Sequence, residues 1–146
     1  MVTRAIERLE YLISIIPPLL IDIEDDKLSK KNSPEKWSKK EIIGHLIDSA
    51  TNNHQRFVRA QFEVKPQIVY DQDNWNRFNY YQQLDKHHIV SFWTIYNQHL
   101  LEILKRIPNE SLKLECWVGN KLLTLDYLIT DYIDHLEHHL KQVVEY

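Results

Sequence analysis

Residues 125–140 read LDYLITDYIDHLEHHL, and no other stretch of the chain says as much about the fold. Apolar side chains recur in it every three or four residues, which is the spacing of one face of an α-helix. That apolar face comprises Leu125, Leu128, Tyr132, Leu136 and Leu140, and it continues to Val143. His139 lies inside this face and His135 at its edge, one helical turn apart, while His138 lies outside it. The sequence therefore predicts an amphipathic helix that packs on other elements and carries two histidines at the boundary of the core.

Three earlier segments have the same helical periodicity, and they cover residues 3–16, 38–63 and 86–107. Pro17-Pro18 is expected to end the first helix or to bend it into a short continuation through Ile23. Ser38-Lys39-Lys40-Glu41 predicts a capping box at the start of the second helix, because Ser38 and Glu41 can each bind a free backbone N–H of the other. Thr124 is expected to cap the last helix, which continues nearly to Tyr146.

Longer connections separate the second, third and fourth helices. Pro66 and the polar cluster at residues 71–76 mark a loop well above the usual connection length, which is typical of an active-site wall. Residues 112–123 carry Gly119-Asn120 between short apolar stretches and predict a small hairpin or an irregular bridge. Four helices of this length predict an all-α fold. We expect one domain over residues 1–146, an antiparallel four-helix bundle with long loops after the second and third helices.

The composition excludes several classes of protein. A chain of 146 residues with 43% hydrophobic and 27% charged residues is long enough for one globular domain and too short for two. The net charge is −3 without a basic stripe, so we expect no nucleic-acid partner. No stretch approaches the roughly 20 apolar residues of a membrane span, so we expect no membrane partner. A single cysteine, Cys116, and an N-terminus without a signal peptide predict a cytoplasmic protein.

A third histidine, His45, lies at the edge of the apolar face of the second helix. Because this position matches those of His135 and His139, a bundle is expected to bring the three imidazoles to one point. Three neutral imidazoles with an open fourth position are the ligand set of a catalytic divalent metal, typically zinc. We therefore expect His45, His135 and His139 to bind zinc or nickel, since such sites select a metal by geometry and supply. The position of each histidine, taken by itself, is equally typical of a partly exposed surface residue.

A polar column continues from His45 along the same side of the second helix, and it comprises Ser49, Asn52 and Arg56. A polar column at the border of a core is typical of one wall of a pocket, so these residues are candidates for binding a small-molecule substrate. A solvated helix face has the same pattern, and the sequence leaves both interpretations open. No residue is assigned as catalytic.

Asp48 and Asp131 lie about one turn from the histidines. They are candidates to accept hydrogen bonds from the imidazole N–H groups and so to orient the rings, although plain surface carboxylates have the same pattern. His54 points to the opposite side of the second helix. The remaining histidines have no comparable partner in the pattern: His87, His88 and His99.

Four motifs carry a resemblance to a known family: Trp37-Ser38, IGHLIDS at residues 43–49, YDQDNW at residues 70–75 and DHLEHH at residues 134–139. Together they resemble the DinB-like superfamily, and within it the branch of YfiT-like metal-dependent hydrolases, to which bacillithiol S-transferases are related. The resemblance implies a four-helix bundle, commonly a homodimer, with a divalent metal held by one histidine of the second helix and two of the last. In this chain those ligands are His45, His135 and His139, the same three that the helical spacing indicates.

The resemblance also implies an activity, the transfer of a low-molecular-weight thiol such as bacillithiol to a small electrophile. The thiol is then a co-substrate, and Arg56 is a candidate to hold its carboxylate. A hydrolase in which the metal activates water needs the same ligands. A third interpretation is a bundle that binds or senses a metal without turnover, and the sequence does not separate the three.

Overall fold

Six α-helices and one β-hairpin make up the computed structural model, which describes all residues 1–146. The elements are α1 (Val2–Ile21), α2 (Asp25–Ser29), α3 (Lys39–Arg59), α4 (Gln72–Phe78), α5 (Lys86–Leu104), β1 (Glu115–Val118), β2 (Lys121–Thr124) and α6 (Leu125–Leu140). Two short 3₁₀ helices, Tyr81–Gln83 and Asn109–Lys113, lie in the connections. The long helices α1, α3, α5 and α6 form the predicted four-helix bundle. The fold is mostly helical but not purely so, because residues 115–124 form the small hairpin.

The helix starts and ends follow local signals only in part. The predicted capping box is present, since Ser38 Oγ accepts from the Glu41 N–H and the Glu41 carboxylate accepts from the Ser38 N–H, both at 3.1 Å. Pro17-Pro18 lies inside α1, which continues to Ile21. The prolines remove hydrogen bonds only near the C-terminal end of α1, and burial of the neighbouring Ile16 and Leu20 outweighs that loss.

Three helices end earlier than the apolar periodicity predicted. Helix α3 ends at residue 59 instead of 63, α5 at 104 instead of 107, and α6 at 140 instead of about 146. The reason is visible after α6, where Val143 is still buried in the core although it lies in a turn. Apolar packing therefore continues past the last helical residue, and periodicity alone overestimates the length of the helix.

The directions of the long helices correct the predicted antiparallel bundle. Helices α1 and α3 both pack against α5 and α6, so α1 and α3 lie at diagonal corners. Lys86, at the start of α5, donates to the Ile23 carbonyl just after α1, and α1 and α5 are therefore antiparallel. Lys40, at the start of α3, donates to the Leu84 carbonyl just before α5, so α3 and α5 run parallel.

The parallel pair exists because residues 60–85 carry the chain from the end of α3 back to the end of the bundle where α3 begins. This connecting segment contains α4 and follows α3 along its length. Side-chain hydrogen bonds along its length join the two, among them Arg56 to the Ile68 carbonyl, Tyr81 to Asp48, and Asn76 to the Glu41 carbonyl. The hairpin holds the start of the segment, because the Ile68 N–H donates to the Trp117 carbonyl at 3.0 Å. The connecting segment therefore covers the side of α3 that carries the polar column.

The interior of the bundle is apolar, and the face that the opening stretch predicted is buried in it. Its largest fully buried side chains are Trp93, Tyr132 and Phe57. The Tyr132 hydroxyl donates to Asn97 Oδ1 at 2.6 Å, so this polar atom of the core is satisfied. No helix combines the length and the apolar composition needed to cross a membrane.

Candidate metal centre

Helices α3 and α6 bring three histidines together at the end of the bundle where α3 begins and α6 ends. His45 lies in the second turn of α3, and His135 and His139 lie in the last turns of α6. One ring nitrogen of each histidine lies within 4.8 Å of those of the other two. Nε2 of His45 and Nε2 of His135 are 3.2 Å apart. The structure thus assembles the three histidines that the helical spacing singled out.

The spacing of these nitrogens suits a tetrahedral metal. Zn–N bonds of about 2.0–2.1 Å place two ligand nitrogens about 3.3 Å apart in a tetrahedral site. The distance between His45 and His135 is close to that value. Without a metal, one of these two imidazoles donates a hydrogen bond to the other. His45 is fully buried while His135 and His139 are half-buried, so the group opens toward the α6 side.

The protonation states also suit a metal. Burial, followed by repulsion from His135 and His139, lowers the pKa of His45 to about 4. Burial, followed by repulsion from His139 and His138, lowers the pKa of His135 to about 4. Both imidazoles are therefore neutral at pH 7 and have the free lone pair that a metal ligand needs.

Two side chains next to the histidines restrict their orientation. The Trp37 indole lies over His45, with ring centroids 4.8 Å apart and planes tilted by 35°. Gln142, in the turn after α6, bonds to two histidines: its Oε1 is 3.1 Å from His139 Nδ1, and its Nε2 is 3.3 Å from His138 Nε2. His138 itself is exposed, as its position outside the apolar face predicted. The buried Nδ1 of His45 has no hydrogen-bond partner.

The two candidate acceptors for the imidazole N–H groups lie elsewhere. Asp48 is buried, and its Oδ1 accepts from the Tyr81 hydroxyl at 2.5 Å and from Asn79 Nδ2 at 3.0 Å. Burial raises the pKa of Asp48 to about 6, against the lowering effect of these two hydrogen bonds. Asp131 is exposed on α6 and bonds to no histidine. In this structure Asp48 joins α3 to the connecting segment instead of orienting an imidazole.

The polar column is present, but it is closed off from solvent. Ser49, Asn52 and Arg56 are all buried on α3 beneath the connecting segment. Asn52 donates to the Asp48 carbonyl, and Arg56 donates to Asn53 Oδ1 at 3.2 Å and to the Ile68 carbonyl at 3.1 Å. Arg56 forms no salt bridge, and its Nε has no partner. The solvated-face interpretation is therefore wrong for these three residues, whereas a role in substrate binding stays a prediction.

Two histidines outside the site have partners that the sequence did not reveal. His54 Nδ1 lies 2.6 Å from the Tyr96 hydroxyl, and the rings of His54 and His99 are 5.5 Å apart between centroids. The sequence pattern did not indicate this ring contact, which forms because α3 and α5 run side by side and bring His99 to His54. Burial, followed by repulsion from His99, lowers the pKa of His54.

A shallow surface depression of about 380 Å³ is lined by residues that include Trp37, Ile42, Asp73 and Gln142, and none of the three histidines lines it. It adjoins the metal centre through Trp37, which covers His45, and through Gln142, which bonds to His139. A neighbouring cavity of about 340 Å³ shares Trp37 and Asp73. Volumes of this size fit a small organic molecule.

Sequence reasoning missed Gln142, Tyr81 and Asn79. Gln142 follows His139 by three positions, which is a helical contact spacing and a usable signal. Tyr81 and Asn79 lie in the connecting segment, more than 30 positions from Asp48. The one hint was Gly44 beside His45, because a glycine inside a helix often marks a close approach by another group.

Two solved structures share the fold of this chain. A structure of YfiT from Bacillus subtilis, described as a probable metal-dependent hydrolase with an unusual four-helix bundle topology, has a TM-score of 0.87 at 19% identity, over 97% of this chain and 83% of that one. A mycothiol-dependent maleylpyruvate isomerase has a TM-score of 0.80 at 8% identity, over 98% of this chain. This chain spans only 60% of that isomerase. At such identities the similarity shows a shared fold and nothing more.

Sequence comparison gives the family. No curated protein matches the chain in sequence. The family model described as the DinB superfamily matches residues 7–143, which is nearly the whole chain and includes all three histidines. The chain therefore belongs to the DinB superfamily.

Proposed function

We propose that this protein binds one divalent metal, zinc or nickel, through His45, His135 and His139, and uses it to transfer a low-molecular-weight thiol to a small electrophile. The observation that carries the proposal is the convergence of three imidazoles, two of them held neutral by burial. An open surface depression lies next to the site, and two of the residues that line it, Trp37 and Gln142, contact His45 and His139. When bound, the metal supplies Lewis acidity, which lowers the pKa of a coordinated thiol.

The surrounding residues have separate roles in this proposal. Trp37 packs on His45 and forms a wall of the depression, so it limits rotation of the imidazole and excludes water from one side. Gln142 holds His139 from the other side of the opening. Both side chains border the space where a thiol and an electrophile would meet.

Arg56 is proposed to attract the carboxylate of the thiol co-substrate, which requires residues 60–85 to move away from α3, because they bury Arg56. The guanidinium is buried, forms no salt bridge, and bonds only to neutral oxygen atoms. A buried cation without a carboxylate partner is costly, and an anionic ligand offsets that cost. Burial lowers the pKa of Arg56, whereas Cys116, Tyr70 and the exposed Asp131 act to raise it. Arg56→Lys loses the bidentate geometry of the guanidinium and is expected to weaken thiol binding. Because lysine keeps the positive charge, the effect is expected to be smaller than that of Arg56→Ala.

Metal-dependent hydrolysis is the second candidate, and the fold of YfiT favours it. It needs the same three histidines, and it differs in using water where the transferase uses a thiol. A non-catalytic bundle that binds or senses a metal is the third. The homodimer that the family resemblance implies is also a proposal, and sedimentation of the metal-loaded protein tests it.

The metal site is tested first, by the metal content of purified variants. Alanine at His45, His135 or His139 is expected to abolish stoichiometric metal, because two imidazoles cannot replace three. His54→Ala is the matched control, since it removes a half-buried imidazole of the same helix as His45 but outside the site. Full metal occupancy in His139→Ala would contradict the assignment.

The reaction is tested next, with bacillithiol and a small electrophile as substrates. The metal-loaded protein is expected to accelerate conjugation, and a chelator is expected to remove the acceleration. Rapid ester or amide hydrolysis without a thiol requirement would favour the hydrolase. If neither reaction is accelerated and the metal is fully coordinated by protein, the protein is a binding or sensing bundle.

A further inference from the structure

We infer that Gln142 is a positioning residue that selects which nitrogen of His139 is free to bind the metal, an inference that rests on the proposed three-histidine site. Gln142 Oε1 lies 3.1 Å from His139 Nδ1. A carbonyl oxygen can only accept a hydrogen bond, so the proton of neutral His139 lies on Nδ1. The lone pair of His139 is then on Nε2, the nitrogen that remains for the site.

His138 contacts the nitrogen of the Gln142 amide. Gln142 Nε2 lies 3.3 Å from His138 Nε2, and because an amide NH₂ only donates, His138 Nε2 accepts. A flipped amide would turn its NH₂ toward His139 Nδ1 and its oxygen toward His138. The proton of His139 would then move to Nε2, where it blocks metal binding. When the proton of His138 is on Nδ1, its Nε2 accepts from the amide NH₂ and favours the orientation that keeps His139 competent as a ligand.

His139 is the only one of the three histidines whose second nitrogen has a side-chain acceptor. The buried Nδ1 of His45 has no partner, and His135 bonds only to His45. His139 is also half-buried, at the open side of the group, and the aromatic rings that contact it belong to other histidines, whereas the Trp37 indole packs on His45. A hydrogen-bond acceptor is therefore most needed there. Partners of this kind typically contribute 10–100-fold to metal affinity.

The experiment measures the affinity for Zn²⁺ alone, by competition with a chromophoric chelator, with no substrate present. Gln142→Leu is expected to bind Zn²⁺ roughly 10–100-fold more weakly than the wild type, since the acceptor is lost. Gln142→Glu is expected to bind at least as tightly as the wild type, because either carboxylate oxygen accepts from Nδ1. Gln98→Leu, the same change at an exposed glutamine of α5, is the matched control and is expected to have no effect.

His138→Ala separates this role from simple packing. In the wild-type background it is expected to weaken Zn²⁺ binding, because the amide can then flip. In the Gln142→Glu background it is expected to have no effect on the affinity, because a carboxylate has no wrong orientation. A residue that only packs against the end of α6 would give the same loss in both backgrounds, and that result would overturn the inference.

A second readout needs no metal. Imidazole ¹⁵N chemical shifts of the zinc-free protein report the tautomer of His139, and the Nδ1–H form is expected to predominate in the wild type and to lose population in Gln142→Leu. Zinc affinity of Gln142→Leu within twofold of the wild type, or of Gln142→Glu as weak as Gln142→Leu, would overturn the inference while the metal site stands. If the wild type binds no Zn²⁺, the proposed function fails, and the inference fails with it.

Discussion

Gly44, next to the metal-site histidine His45, is predicted to be required for the packing of the connecting segment on α3. A Cβ added at Gly44 would lie 2.1 Å from Cδ2, 2.3 Å from Cγ and 2.6 Å from Cε2 of Tyr81. Carbon atoms in contact normally lie about 3.5–4.0 Å apart, so Gly44→Ala requires the ring to retreat by about 1.5 Å. Tyr81 is buried, and its hydroxyl bonds to Asp48 at 2.5 Å, so the ring cannot move without breaking that bond.

The expected loss of stability in Gly44→Ala combines two unfavourable effects and one favourable effect. Overpacking of a buried site costs about 1–3 kcal/mol, and loss of a buried hydrogen bond to a carboxylate costs about 1.5–3 kcal/mol. Replacing glycine by alanine inside a helix offsets about 1 kcal/mol of this. Gly44→Ala is therefore expected to lower the free energy of unfolding by about 1.5–5 kcal/mol, and near the middle of that range Tm falls by roughly 10 °C for a domain of this size.

Urea unfolding followed by circular dichroism measures the effect in two backgrounds. In the wild type, Gly44→Ala is expected to destabilise. In a Tyr81→Ala background the ring is gone, and the same substitution is expected to stabilise by about 1 kcal/mol, as helix propensity alone dictates. Tyr81→Phe gives the separate cost of losing the hydroxyl. A stabilising Gly44→Ala in the wild type, or an effect of the same sign in both backgrounds, would refute the reasoning.

Further predictions concern pH and metal, and urea unfolding tests each. Burial raises the pKa of Asp48 from 3.8 to about 6, so the folded state binds the extra proton and stability falls as pH rises through this window. Asp48→Asn does not titrate here, so its free energy of unfolding is expected to rise relative to that of the wild type by up to about 3 kcal/mol between pH 4 and 7. The pKa of His45 is instead lowered from 6.5 to about 4, so protonation of His45 is expected to lower the free energy of unfolding of the metal-free protein by about 3 kcal/mol as pH falls through that window. His45→Leu is expected to remove this part of the pH dependence. Zn²⁺ at about 100 times its Kd is expected to stabilise the wild type by about 2.7 kcal/mol and His139→Ala not at all.

The buried polar residues show where prediction from the sequence stops. Helical spacing placed Ser49, Asn52 and Arg56 on one side of α3, as the structure has them. Whether that side faces solvent depends on residues 60–85, which lie across it and bury all three. The same helical face can be exposed or covered, and no spacing within a helix distinguishes the two cases.

The sequence by itself determined what depends on neighbours within about four positions: the apolar face of α6, the capping box at Ser38, and the placement of His135 and His139 on one side of a helix. Only the tertiary structure decided that α3 and α5 run parallel, that Asp48 meets Tyr81 and Asn79 instead of an imidazole, and that His54 meets His99. These contacts join residues 31 to 45 positions apart, and they depend on the path of residues 60–85 along the bundle. Hydrogen bonding and periodicity act locally along a helix, whereas the direction of the next helix is set by how a long connection packs against the whole bundle.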